Sequence, residues 1–255
     1  MDLGLSGRSC VVIGGSRGIG RSIALGLAAE GANVAICARN EKPLRAAESE
    51  ISERGVQAYA HSCDVADPAA LTSFLDDARS ALGSVDVLVH NASALAVGPD
   101  LSDWEASLQV DLMAGVRAAE HVIPWMEEAG GGSILFVAST SGLEADPGPS
   151  FGYTAAKAAL IAHAKKLAVM HGARGIRANA IAPRLDRLPG RDLGQGQGAP
   201  ARLLRERARG HPLGPLRHAG RGRRRCRVPR LSQGGVGRWR VPVGGRGTAP
   251  RDALR

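Results

Sequence analysis

Along the first 183 residues, short apolar runs alternate with longer helical patterns. The runs cover residues 9–13, 33–38, 56–60, 85–89, 133–138 and 176–181. Each is nearly continuous rather than alternating, which is the pattern of a strand buried on both faces. Residues 19–30, 42–53, 68–82, 104–126 and 153–171 lie between them, and each stretch is long enough for a helix. Glycines mark several of the joins, at Gly31, at Gly83 and at Gly130-Gly131-Gly132. Strand–helix alternation of this kind predicts a doubly wound α/β fold, with a parallel sheet covered by helices on both faces. A chain of 255 residues is long enough for one such domain with a full core.

After Pro183 the pattern stops. Residues 184–255 are rich in Arg, Gly and Pro, include Arg223-Arg224-Arg225, and show no sustained period of a strand or a helix. The chain therefore divides into residues 1–183, a folded domain, and residues 184–255, a segment expected to be mostly disordered. This division changes the meaning of the net charge of +9. The C-terminal segment holds 19 Arg, no Lys and four acids, a formal +15, whereas the first part holds 14 basic and 20 acidic residues, a formal −6. The overall charge describes neither part.

Cys10, Cys37, Cys63 and Cys226 are scattered, with no CxxC pair. That usage suits a reducing cytoplasm and predicts neither a disulfide framework nor a metal site. Met1-Asp2-Leu3-Gly4 lacks the basic start and apolar run of a signal peptide, and no apolar stretch approaches the roughly 20 residues of a membrane span.

The chemistry gathers where apolar runs end. Gly14-Gly15-Ser16-Arg17-Gly18-Ile19-Gly20 follows the first strand and opens a helix, with the spacing GxxxGxG. Glycines let backbone turn tightly and approach a pyrophosphate, and the helix N-terminus offers unpaired N–H groups to phosphate. Tyr153 and Lys157 form YxxxK on a predicted helix, so one turn brings both to one face. Ser139 ends the fifth strand, 14 residues before Tyr153.

Together with Cys63-Asp64-Val65, Asn91-Ala92, Ser139-Thr140-Ser141-Gly142 and the run Ile176-Arg177-Ala178-Asn179-Ala180-Ile181-Ala182-Pro183, these segments resemble the short-chain dehydrogenase/reductase family. The resemblance is to its classical type, near the 3-oxoacyl-thioester reductases. It covers about 183 residues, in family order and spacing. It implies a nicotinamide-dependent interconversion of a carbonyl and an alcohol, acting on a small-molecule substrate in a homo-oligomer, a dimer or a tetramer. Tyr153 would then be the general acid or base. Lys157 would favour its phenolate and hold the nicotinamide ribose. Ser139 would hydrogen-bond the substrate oxygen. The cofactor would contact Gly14, Ser16, Arg17, Gly18, Ile19, Gly20, Asp64, Val65, Asn91 and Ala92, as well as Tyr153 and Lys157.

Two places depart from the family pattern. Many members carry an asparagine on the central helix, where it holds a water of the proton relay. Asp111 stands there in this chain and is expected to accept from that water. The usual Asn-Asn-Ala-Gly reads His90-Asn91-Ala92-Ser93, and Ser93 visits positive φ less cheaply than glycine. His90 is expected to be a packing or loop residue. Cofactor choice rests on charge. The second strand ends Cys37-Ala38-Arg39-Asn40, where an acid would suit the ribose 2′-hydroxyl of NAD. Arg39 and Arg17 suit the 2′-phosphate of NADP(H) instead, with NAD(H) as the weaker ligand.

The family continues past Asn-Ala-Ile-Ala-Pro with a glycine, a lid segment, a helix and a strand ending in Val-Asp-Gly-Gly. These are absent from residues 184–255 but return if the coding frame moves by one base. Written as CTC GAT CGA CTT CCC GGG, Leu185 to Gly190 read from the second base as SIDFP. The same shift from Leu216 to Gln233 can read FGTPEEVADAVAFLASPK, and Val243 to Gly247 can read SVDGG. One extra C in the codons of Pro183 to Leu185 would produce the shift. The rival is an arginine-rich arm that binds RNA or DNA. An evolved arm would mix Lys with Arg and carry aromatics for stacking, whereas this segment has no Lys and a single aromatic, Trp239. No specific nucleic-acid or membrane partner is expected.

Removing one base near codons 183–185 is expected to restore solubility, oligomerisation and NADPH oxidation with a suitable ketone. Size-exclusion chromatography and reduced-cofactor absorbance of both forms, expressed side by side, check this. A monodisperse, cooperatively melting and active protein from the unchanged gene would refute the shifted frame.

Overall fold

The computed structural model describes residues 3–144 and 148–183. The expectations for residues 184–255, disorder included, lie outside the described residues. Six strands form one parallel sheet: β1 (Ser9–Ile13), β2 (Asn33–Ala38), β3 (Ala58–Ser62), β4 (Val87–His90), β5 (Gly132–Val137) and β6 (Ile176–Ile181). Their order is β3-β2-β1-β4-β5-β6. The helices are α1 (Gly18–Ala29), α2 (Glu41–Ser52), α3 (Pro68–Leu82), α4 (Leu101–Ala106), α5 (Ala114–Glu128) and α6 (Phe151–His171). None of them is long and apolar enough to cross a membrane.

Residue alternation along β1 shows how the layers form. Val11 and Ile13 face a core shared with α3, α5 and α6. Cys10 and Val12 face the opposite core, with α1 and α2. All five residues of β1 are buried, so its continuous apolar run reflects two covered faces. The helices carry their own start and stop signals. Asp67 caps α3 by accepting from the N–H groups of Ala69 (2.9 Å) and Ala70 (3.3 Å), Pro68 occupies its first turn, and Gly83 ends it at φ 81°.

The structure shifts two strands and divides one helix. β3 and β4 each begin two residues later than the apolar runs do. Val56 and Val85 pack against the cores before the ladder starts, and pairing begins at Val34↔Ala58 and Cys10↔Val87. Burial and pairing are separate demands, and an apolar run reports the first. The stretch expected as one helix over 104–126 is α4, a π-helical segment Ser107–Met113, and α5. A single widened turn leaves the apolar spacing almost unchanged, so periodicity does not reveal it.

Strand order reverses between β1 and β4. The chain leaves these neighbours towards opposite faces, which opens a crevice beyond their C-terminal ends. The glycine turn leaves β1, Arg39 follows β2, Asp64 follows β3, Asn91 follows β4 and Ser139 follows β5. At the β6 edge of the same rim, Ala138 N–H donates to the Ile181 carbonyl (2.8 Å) and Thr140 N–H to the Pro183 carbonyl (3.2 Å), so the exit of β6 braces the Ser139 loop.

Two substitutions separate packing from capping. Phe74 of α3 is fully buried in the core beneath the sheet, so Phe74→Ala is expected to cost about 3–5 kcal/mol. Asp67→Ala removes a cap at the surface and is expected to cost about 1 kcal/mol. Denaturant melts of both variants check the difference.

Candidate active site

The crevice gathers the predicted phosphate-binding elements. Gly14 and Gly18 have φ of 82° and 57°, in the region that favours glycine. A Cβ on Gly14 would lie 2.8 Å from the Ala92 nitrogen, and one on Gly20 would collide with the Gly14 carbonyl and the Asn91 side chain. The turn is therefore packed directly onto the loop leaving β4. Asn91 holds the two together: its Nδ2 donates to the Gly14 carbonyl (2.9 Å), and its backbone N–H to the Ile13 carbonyl (3.0 Å). No side chain caps α1, so its first-turn N–H groups stay available to an anion. That donor set fits the pyrophosphate of a dinucleotide. Ser16 is buried beside the turn, Ile19 is half-buried, and Arg17 is exposed.

Arg39 is exposed at the end of β2, and Ser62 Oγ donates to its carbonyl at 3.1 Å. Neither Arg17 nor Arg39 forms an ion pair with a described residue. Asp64 is exposed after β3, where its carboxylate accepts from Ala66 N–H (3.1 Å), and Val65 is buried beside it. No cluster of three His, Cys, Asp or Glu side chains among the described residues could hold a metal ion.

The second group of residues meets beyond β5. Ser139, Tyr153, Lys157 and Asp111 are all at least nine-tenths buried. Tyr153 and Lys157 share one face of α6, and the Lys157 ammonium lies 5.5 Å from the Tyr153 ring centre. The Ser139 loop seats on this face because Gly142 has no side chain; a Cβ there would lie 2.7 Å from the Lys157 carbonyl carbon. Ser139 Oγ accepts from Ser141 N–H (3.1 Å) and lies near enough to the Tyr153 hydroxyl to favour its ionised form. Lys157 Nζ donates to the Val137 carbonyl at 3.0 Å, a backbone partner that no motif announces.

Asp111 lies between Lys157 and the loop after β4. Its Oδ1 lies 3.1 Å from Lys157 Nζ, close enough for an ion pair though poorly directed for a hydrogen bond. Its Oδ2 accepts from Ala94 N–H at 3.0 Å. Both oxygens therefore face protein donors. The Tyr153 hydroxyl is pushed above the usual tyrosine range, first by burial, while Ser139 pulls it down and the Asp111 charge adds to the rise. The Lys157 ammonium has a buried carboxylate beside it.

The π-helical segment explains why Asp111 faces inward. It buries Ser107 and Asp111, one turn apart. Ser107 Oγ donates to the Ala96 carbonyl (3.1 Å) while Asp111 accepts from Ala94, so the pair clamps the loop after β4. Ser107 was not singled out from the sequence; two polar residues four apart in an otherwise half-apolar helix were the available signal. Ser93 avoids positive φ, which falls on Leu95 at 51° instead, and Ser93 Oγ accepts from Leu95 N–H at 3.1 Å.

His90 packs as expected, edge-on to Phe136 with ring centres 6.4 Å apart. Gly115 leaves room for it, since a Cβ there would lie 2.7 Å from the imidazole. Both ring nitrogens are buried without a hydrogen-bond partner.

Comparison with known proteins agrees with this arrangement. The family model described as short chain dehydrogenase matches residues 8–185. The 3-oxoacyl-acyl-carrier-protein reductase FabG of Staphylococcus aureus (strain Mu50 / ATCC 700699) is 35% identical over 181 residues, 69% of this chain and 73% of the relative. The 3-alpha-(or 20-beta)-hydroxysteroid dehydrogenase of Mycobacterium bovis is 36% identical over 189 residues, 72% of this chain and 71% of the relative. A solved 7 alpha-hydroxysteroid dehydrogenase, complexed with NADH and 7-oxo glycochenodeoxycholic acid, superposes with a TM-score of 0.68 at 31% identity, covering 70% of this chain and 71% of that one. The chain belongs to the short-chain dehydrogenase family, with a Rossmann-like fold and a likeness to 3-oxoacyl reductases. It is an oxidoreductase of the nicotinamide-dependent kind that interconverts carbonyls and alcohols.

His90 makes the fold sensitive to acid. Burial, and after it the Lys157 charge, depress its pKa to about 3; the nearby Asp111 and Val110 carbonyls oppose this without reaching hydrogen-bond geometry. An unfolded histidine takes up a proton near pH 6.5, so below that pH the unfolded chain binds a proton that the fold refuses. Stability is therefore expected to fall as pH drops through about 6.5, by about 2 kcal/mol between pH 7 and pH 5 from this residue alone. Urea melts across that range should show His90→Asn losing correspondingly less. An identical acid dependence in the variant would rule the histidine out as its source.

Proposed function

We propose that this protein is an NADP(H)-preferring carbonyl reductase with Tyr153 as its general acid. The observation that carries the reading is the burial of Ser139, Tyr153 and Lys157 together beyond β5, with the Lys157 ammonium 5.5 Å from the Tyr153 ring centre. A bound nicotinamide supplies or accepts the hydride. Ser139 orients the substrate oxygen and stabilises charge that develops there. Tyr153 donates its proton to that oxygen in reduction and recovers one in the reverse direction. Lys157, held by the Val137 carbonyl and Asp111, keeps an N–H free for the ribose. The uncapped start of α1 receives the pyrophosphate, and Asp64, Val65, Asn91 and Ala92 border the adenosine side. Arg17 and Arg39, exposed and without acidic partners among the described residues, receive the 2′-phosphate.

The substrate class that fits best is a 3-oxoacyl thioester, by likeness to the FabG relative; a broad ketone or a sugar alcohol is the alternative. Turnover on a panel of acyl thioesters and ketones separates them. A homo-oligomer accompanies this reading, because Phe151, Val169 and Met170 leave apolar surface exposed on α6. A second reading, that the chain as it stands is an inactive product of a shifted frame, is favoured by the family match ending at residue 185. Residues 1–183 are the same in both forms.

Tyr153→Phe is expected to keep cofactor affinity and to lower kcat by about 10² or more, because only the proton donor is lost. Lys157→Ala is expected to damage both. NADPH is expected to bind at least about tenfold tighter than NADH, equivalent to about 1.4 kcal/mol, and Arg39→Asp to reduce or reverse that preference. Calorimetric titration with both cofactors and steady-state kinetics check these outcomes. Near-normal kcat in Tyr153→Phe would place the proton donor elsewhere, and equal affinities would remove the arginines from cofactor choice.

A further inference from the structure

We propose that Asp111 is a positioning residue that cancels the Lys157 charge beside Tyr153 and so sets the site to donate a proton to a carbonyl rather than to take one from an alcohol. The proposal rests on the catalytic roles given above and deepens them.

The geometry has two parts. The Asp111 and Lys157 side chains are 0% and 2% exposed, so bulk solvent and salt do little to screen them from each other or from Tyr153. The carboxylate also meets two partners, one with each oxygen: Oδ2 accepts from Ala94 N–H, and Oδ1 lies 3.1 Å from the Lys157 ammonium as an ion pair. An asparagine has a single acceptor oxygen and cannot meet both. Aspartate at this position thus brings a full negative charge into contact with the lysine and is held there by the loop after β4.

Among the described residues, the surroundings contribute no compensating charge. His90, from β4, is neutral at working pH. β5 brings no ionisable side chain to α6. Arg177 on β6, Glu105 on α4 and Glu144 beyond the Ser139 loop are exposed, and Asp103 is engaged in the capping box of α4. The Lys157–Asp111 pair is neutral as a unit. A lysine with a neutral neighbour would leave one net positive charge next to the phenol and draw out its proton. With Asp111 present, burial and the carboxylate hold the proton on Tyr153. Proton donation then persists to high pH, while the phenolate needed for alcohol oxidation forms late.

The chain has two tyrosines, so Tyr59→Phe leaves Tyr153 as a single reporter. Tyrosinate absorbance of the full chain is read within milliseconds of a jump in pH, before the fold responds; the frame-restored chain serves the same measurement where the chain as it stands does not melt cooperatively. Tyr153 is expected to titrate above the ordinary value of about 10, and Asp111→Asn to lower that midpoint by about one unit or more. The alkaline limb of kcat/KM for carbonyl reduction should fall by the same amount, and oxidation should become faster near neutral pH. A Tyr153 midpoint at or below 10 with Asp111 in place would overturn the proposal, and that measurement does not depend on the variant folding. An unchanged midpoint in Asp111→Asn would overturn it equally. Loss of turnover on every carbonyl tested, with the titration as expected, would remove the reductase reading and leave the charge assignment standing.

Discussion

Parallel pairing of β1 with β4 is the constraint on which the site depends. Parallel neighbours cannot be joined by tight turns, so every strand hands the chain to a crossover at the same edge of the sheet. The residues that follow β1, β2, β3, β4 and β5 therefore lie along one rim, although 125 positions separate Gly14 of the glycine turn from Ser139 in the chain. The reversal of strand order between β1 and β4 makes that rim a crevice. What remains to be set locally is small: a turn without side chains at Gly14 and Gly20, and a loop that can press onto α6 at Gly142.

Much of this was legible in the chain because the physics behind it is local. Continuous apolar runs give buried strands, glycine spacing gives the turn before α1, and YxxxK gives two side chains on one helical face. The misses are of a different kind. The π-helical segment turns Asp111 and Ser107 inward by one extra residue per turn, and an apolar period cannot register that. The Val137 carbonyl that anchors Lys157 is backbone, so no residue type advertises it. The charge state around Tyr153 depends on which residues meet, and a motif that contains Tyr153 and Lys157 says nothing about the carboxylate facing them.

The departures from the family pattern at the exit of β4 belong together. His90 places an imidazole where no partner reaches it, and the bare Gly115 makes space for the ring. Positive φ falls on Leu95, at 51°. That conformation would be costly alone. It is held by three hydrogen bonds, from Leu95 N–H to Ser93 Oγ, from Ala94 N–H to Asp111, and from Ser107 Oγ to the Ala96 carbonyl. Two of the three come from the π-helical segment.

Asp111 consequently connects two things that a motif treats as separate, the path of the loop after β4 and the charge beside Tyr153. Its Oδ2 fixes the loop and its Oδ1 faces Lys157, so neither oxygen can be given up without a cost to the other. A carboxylate buried without partners would be strongly destabilising, and here the loop N–H and the lysine charge supply them. The same side chain that holds the loop sets a negative charge against the lysine beside Tyr153. The loop after β4 and the face of α6 that carries Lys157, more than sixty residues further along the chain, thus meet through one pair of oxygens.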